Sequence, residues 1–83
     1  MSTFEHVRET LTSALGLGER GQTLTMASGL FGEMPEFDSM AVVNVVTALE
    51  DRFDIYFEDE EIDGEVFETV GTLVAFVDRK LAA

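Results

Sequence analysis

Apolar positions along this chain fall into three helical rhythms, separated by segments rich in glycine and acidic residues. Phe4, Val7, Leu11 and Ala14 or Leu15 recur at helical spacing among Glu5, Arg8 and Glu9, which predicts an amphipathic first helix of about three turns. Ser2 or Thr3 is placed to cap its start, and Gly16 to stop it. The longest periodic run, Met40 to Phe53, predicts a second helix from Ser39 to about Phe53. Its inward stripe is read as Val43, Val46, Leu49 and Phe53. Val42 and Val45 fall off that stripe, so the helix is either central to the fold or covered by a partner on its outer face. Val70, Leu73, Val74, Val77 and Leu81, with Phe76 beside them, predict a last helix capped by Thr69 and ending on Arg79 and Lys80. Gly71 within it costs up to about 1 kcal/mol relative to alanine.

The connections are more than solvated linkers. Gly16 to Phe37 contains five glycines after Gly16 is counted with Gly18, Gly21, Gly29 and Gly32, yet also Leu24, Met26, Leu30 and Phe31. A segment that long and that apolar is expected to fold back as a lid, with a short turn around residues 27–31. Met34 precedes Pro35 and is pushed toward extended backbone. After Phe53, Ile55, Tyr56 and Phe57 read as an apolar loop plugging one end of the bundle, and Ile62, Val66 and Phe67 suit a short helix or single turn. The predicted fold is all-α: a small four-helix bundle of three main helices and one short one, in a single domain spanning residues 1–83.

The start of the second helix is the most structured sequence signal. Asp38 reads as the N-cap, its carboxylate accepting from orphan N–H groups of the first turn. Phe37 and Val42 then occupy the positions of a hydrophobic staple. Ser39 falls at the first helical position, beside the positive end of the helix dipole, where a phosphate is well accommodated.

Charge narrows the partners. Seventeen acidic residues against five basic ones give a net charge of −12, so nucleic acid and anionic membrane surfaces are poor partners and a basic protein surface is the natural complement. The first residues lack a basic and apolar leader pattern, and no apolar run approaches the ~18 residues of a membrane span. A cytoplasmic protein with no membrane insertion is expected. There is no cysteine, which excludes a disulfide framework, a thiolate nucleophile and a zinc knuckle.

Candidate chemistry thins out on inspection. His6, the only histidine, falls off the apolar stripe of the first helix and is expected to be a solvated surface residue rather than a base. The stretch from Asp59 to Gly64 resembles a calcium loop until its twelfth position, where Val70 stands in place of the bidentate glutamate. No metal is expected. The hydroxyl of Ser39 remains: a serine directly after a capping aspartate, approached by a glycine-rich segment, on an acidic domain without catalytic apparatus. Those features suggest a serine modified by another protein and then displayed.

Asp38-Ser39-Met40, followed by Val43, Val46, Ala48-Leu49-Glu50 and Phe53, resembles the acyl carrier proteins, whose signature is Asp-Ser-Leu at the start of the second of four helices. Asp59-Glu60-Glu61 and Thr69-Val70 extend the likeness over about residues 30–81. The resemblance implies that Ser39 carries covalent 4′-phosphopantetheine, installed from coenzyme A by a phosphopantetheinyl transferase. The thiol of that arm would hold acyl groups as thioesters, shuttled between acyl-loading and acyl-transfer or condensing enzymes or tucked between the helices. A helical core rich in valine and alanine could open for an aliphatic chain. Family partners place basic patches on the second helix, which here implies Asp38, Glu50 and Asp51 with Met40 as an apolar contact. Glu36 stands where the family often has glycine. Ala41, Val42, Asn44 and Val45 are neutral where fatty-acid carriers place acids. These departures point to a carrier of a specialised pathway, such as polyketide, lipid or exopolysaccharide-linked synthesis, and the absence of flanking linkers to a free-standing protein, expected to be a monomer. The rival reading is an unmodified acidic helical adaptor that binds its partner through Val42 and Val45.

Overall fold

Ser2 opens the first helix with a reciprocal cap. In the computed structural model, which describes residues 2–82, its hydroxyl accepts from the Glu5 N–H at 3.2 Å while its own N–H reaches the Glu5 carboxylate at 3.3 Å. The Ser2 N–H and, in turn, the Ser2 hydroxyl donate to that carboxylate and hold the Glu5 carboxyl below the usual carboxylate range. Helix α1 spans Thr3–Leu15 and ends at Gly16 in the left-handed region, φ +63°, the conformation that favours glycine.

Helix α2 spans Ser39–Phe53 and buries Ala41, Val42, Val45, Val46 and Leu49. This corrects the predicted stripe: Val43 is 60% exposed, whereas Val42 and Val45 face the core. Val46 and Leu49 belong to either phase of the helix. The staple decides between them, because buried Phe37 sits at the entrance and draws Val42 inward with it. Asp54 ends α2 in the left-handed region, φ +55°. Helix α3 spans Val70–Ala82. Thr69 and Thr72 cap its start reciprocally, the Thr72 N–H reaching Thr69 Oγ1 at 3.0 Å and the Thr69 N–H reaching Thr72 Oγ1 at 3.1 Å. Its inward side is Val70, Leu73, Val74, Phe76 and Val77, while Leu81 lies largely outside.

The first connection holds a 3-10 turn, Gly18–Thr23, that the apolar pattern does not announce. It lies so close on α1 that a β-carbon on Gly21 would stand 2.0 Å from Thr12 Oγ1. Leu17, Leu24 and Leu30 are buried as a lid requires, but Met26 and Phe31 remain about half exposed. Backbone hydrogen bonds then zip this segment antiparallel to the start of α3. Leu30 N–H donates to the Glu68 carbonyl, Phe31 N–H to that of Phe67, Val70 N–H to that of Ser28 and Gly71 N–H to that of Met26, at 2.8 to 3.0 Å. In the second connection the short helical element is a 3-10 turn at Asp59–Glu61. A single turn follows over residues 64–67 and brings Phe67 inside. Phe57 is buried and Tyr56 exposed, so the loop after α2 plugs the bundle through one ring.

Helix α1 packs against both α2 and α3, and those two approach each other less closely than either approaches α1. Phe37, Phe57 and Phe67 enter from the connections and join residues of all three helices in one apolar cluster.

Candidate attachment site at the start of α2

Asp38 has extended backbone, φ −107° and ψ −173°, and its Oδ1 accepts from the Ala41 N–H at 2.9 Å. The Asp38 carbonyl takes the Val42 N–H at 3.0 Å. The cap therefore satisfies the third N–H of α2 and leaves those of Ser39 and Met40 without an acceptor among the described residues. Phe37, the residue before the cap, is 3% exposed and Val42 is 7% exposed, as a staple across the cap demands. Anchored on both sides, the chain turns the Ser39 side chain outward, where it is exposed and its hydroxyl forms no hydrogen bond among the described residues.

The remaining predicted residues separate into surface and core. Met40 is 73% exposed, beside the serine. Asp51 is exposed on the last turn. Val42 and Val45 are core residues and do not form a partner surface. Glu50 is half-buried, and its Oε2 accepts from the Phe57 N–H at 2.8 Å, so this carboxylate pins the loop after α2. The residue that the sequence reading missed is Val43. With Met40, Asn44, Thr47 and Asp51 it completes an exposed stripe at helical spacing, uncharged until Asp51. Polar Asn44 and Thr47, one and four residues after it, mark this stripe in the sequence.

Glu36, a departure from the family pattern, and Arg52 both acquire structural roles. Glu36 is ion-paired with Arg20, tying the Gly18–Thr23 turn to the approach of α2. The guanidinium holds the Glu36 carboxyl below the usual range, and the carboxylate in turn raises Arg20. Arg52 faces α1, donating to Glu9 Oε1 at 2.7 Å and to His6 Nδ1 at 2.6 Å. His6 is half-buried and meets Phe53 edge-on at 6.0 Å, so it is not the solvated residue expected. It lies at the far end of α2, fourteen residues or about 21 Å from Ser39 at 1.5 Å per residue, and cannot serve that hydroxyl as a base. No cluster of three or more histidine, aspartate or glutamate residues suited to a metal occurs among the described residues. None of the described helices is long and apolar enough to cross a membrane.

The arrangement suits a group that is esterified to an outward hydroxyl and carries a phosphate, since uncapped N–H groups and the helix dipole favour negative charge there. Comparison with known proteins leads to the same kind of molecule. No family model matches the chain. An acyl carrier protein of Streptococcus pyogenes is 38% identical over 80 residues, covering 96% of this chain and 97% of that protein. An acyl carrier protein of an Exiguobacterium species is 50% identical over 44 residues, 53% of each. The solution NMR structure of holo acyl carrier protein from Nitrosomonas europaea is 53% identical, covers 100% of both chains and superimposes with a TM-score of 0.92. Identity at this level across nearly the full length of both partners means that the chain belongs to the acyl carrier protein family.

Proposed function

We propose that Ser39 carries 4′-phosphopantetheine and that residues 1–83 act as one monomeric carrier domain in the cytoplasm. The observation that carries this reading is the outward, unpartnered hydroxyl of Ser39 at the first position of a helix whose cap turns inward. When bound, the group supplies a thiol on a flexible arm, on which acyl groups are held as thioesters. Ser39 Oγ would be its point of esterification, the N–H groups of Ser39 and Met40 would face its phosphate, and Asp38 would hold the turn in place. As a carrier rather than an enzyme, the chain depends on a phosphopantetheinyl transferase and on acyl-loading and acyl-transfer or condensing enzymes.

The surface those enzymes read is the stripe Met40, Val43, Asn44, Thr47 and Asp51 rather than Val42 and Val45. Its first three turns carry no charge on a domain of net charge −12. That contrast supports a specialised pathway, whose enzymes offer an apolar contact near the serine and basic groups at the rim. The adaptor reading loses its contact residues, because Val42 and Val45 are buried.

The test is incubation with coenzyme A and a broad-specificity transferase, followed by intact mass. The wild-type chain gains one phosphopantetheine mass and Ser39→Ala gains none. An unmodified wild-type chain, beside a second carrier that the same transferase does load, would sink the proposal.

A further inference from the structure

The last stretch of the first connection braces the start of α2. Leu30 is fully buried, and its carbonyl accepts from the N–H groups of Glu33 and Met34 at 3.3 and 3.0 Å. That closes residues 30–34 into one turn. The Met34 carbonyl in turn accepts from the Phe37 N–H at 3.0 Å, and the Glu36 carbonyl from the Asp38 N–H at 3.2 Å. The same turn is fastened on its other side, where the Leu30 and Phe31 N–H groups donate to the Glu68 and Phe67 carbonyls. Phe31 is therefore fixed at its backbone, yet it stays 44% exposed.

An isolated apolar residue at the surface needs no explanation. Phe31 is not isolated: its ring meets that of Phe37 edge-on, with centroids 5.7 Å apart and planes at 68°, a favoured geometry for two aromatic rings. Phe37 also lies 5.7 Å from the Phe67 ring, which is fully buried. Phe37 thus contacts one core ring and one surface ring, and is itself left 3% exposed. Phe31 is its outer cover. What Phe37 holds is the entrance of α2. It is the staple partner of Val42, the Asp38 cap on the Ala41 N–H follows it, and Ser39 comes next. First helical turns open more readily than helix centres, because few buried contacts secure them. A cover over the staple acts where that opening would begin.

We propose that Phe31 is a positioning residue for the modification of Ser39. Its ring keeps Phe37 in the staple, the staple keeps the Asp38 cap closed, and the closed cap turns the Ser39 hydroxyl outward. Phe31 acts through Phe37 and needs no contact with the attached group. The inference rests on the carrier reading of Ser39. Opening of the cap withdraws the arrangement that a transferase binds, and a smaller competent fraction shows as weaker binding rather than slower chemistry.

The test separates a brace from a contribution to overall stability. In Phe31→Ala, amide exchange at Ala41 and Val42 should rise about 2- to 12-fold, the factor that corresponds to one edge-on ring pair. Exchange at Leu11 in α1 and Val77 in α3 should stay as in the wild type. Phe31→Tyr keeps the ring and should restore slow exchange. With coenzyme A and a broad-specificity transferase, Phe31→Ala should be loaded with a raised KM and an unchanged kcat, and Phe31→Tyr as the wild type is. Tyr56→Ala removes another ring, 64% exposed and beyond the far end of α2, and should leave both readings unchanged. Exchange that rises equally at all four amides would overturn the proposal, as would unchanged exchange at Ala41 and Val42 or a KM that does not move. A wild-type chain that is not loaded at all counts against the carrier reading, and the exchange measurements then still decide whether Phe31 holds the cap.

Discussion

Gly71 donates its N–H to the carbonyl of Met26 at 2.8 Å, and a β-carbon on Gly71 would stand 2.8 Å from that same oxygen. The glycine that looks like a weakness inside α3 is the point where the first connection reaches the helix. Gly71→Ala gains up to about 1 kcal/mol of helix propensity but forces the backbone of Met26 away, a steric cost of about 1–3 kcal/mol. We expect a net loss of about 1 kcal/mol in urea unfolding, with faster amide exchange at Leu30 and Phe31. A more stable Gly71→Ala protein would show that the ladder does not depend on this approach.

Local signals in the sequence were legible where a side chain contacts its own turn. The Ser2 and Asp38 caps, the Phe37–Val42 staple, the Gly16 stop and the Thr69 start all sit as read. The antiparallel ladder between residues 26–31 and 67–71 was not legible, because backbone groups make it and no side-chain pattern encodes it. The phase of α2 was misread for a different reason. Val42, Val43, Val45 and Val46 offer two stripes, and the Phe37–Val42 staple together with the outward Asn44, Thr47 and Asp51 distinguishes them. That error placed the candidate partner surface on core residues while leaving Ser39 and Met40 unaffected. His6 was misread because its partners, Arg52 and Phe53, lie on another helix.

The corrected phase separates folding from recognition. Val45 is fully buried, so Val45→Asp places an unpaired carboxylate in the core, a penalty of several kcal/mol against a total stability of about 5–15 kcal/mol. We expect loss of the cooperative unfolding transition. Val43→Asp and Met40→Asp lie on the surface and should change stability by no more than about 0.5 kcal/mol, while weakening binding to enzymes that read α2. Circular dichroism alongside a binding titration distinguishes the two classes. If Val43→Asp unfolds the chain, the assigned phase is wrong.

The Arg20–Glu36 pair makes stability depend on pH with a defined sign. Arg20 lowers the Glu36 carboxyl from its ordinary 4.5, so the folded chain favours the ionised form. The contribution is full above the ordinary value and is lost as pH falls through the lower, folded one. The wild-type advantage over Glu36→Gln should therefore be present at neutral pH and vanish in acid, and it should shrink with added salt because Arg20 is largely exposed and Glu36 partly so. Urea midpoints of both proteins across that range give the answer. An advantage that grows on acidification would contradict the pairing.

Asp38 offers a way to ask whether the site depends on its charge or on its shape. Asparagine is as good an N-cap as aspartate, whereas alanine gives up the hydrogen bond to the Ala41 N–H, a cost of about 1 kcal/mol. The carboxylate also lies at the positive end of α2, where its charge adds about 0.3–1 kcal/mol. Asp38→Asn should therefore lose about 0.3–1 kcal/mol, and Asp38→Ala about 1 kcal/mol more than that. If Asp38 serves Ser39 by fixing the turn, phosphopantetheinylation of Asp38→Asn proceeds near the wild-type rate, and Asp38→Ala is slowed along with its fraying first turn. Amide exchange at Ala41 and Val42 reports the fraying independently of the transferase. Equal, severe loss of modification in both variants, with exchange unchanged in Asp38→Asn, would assign the carboxylate a direct part in recognition and set the geometric account aside.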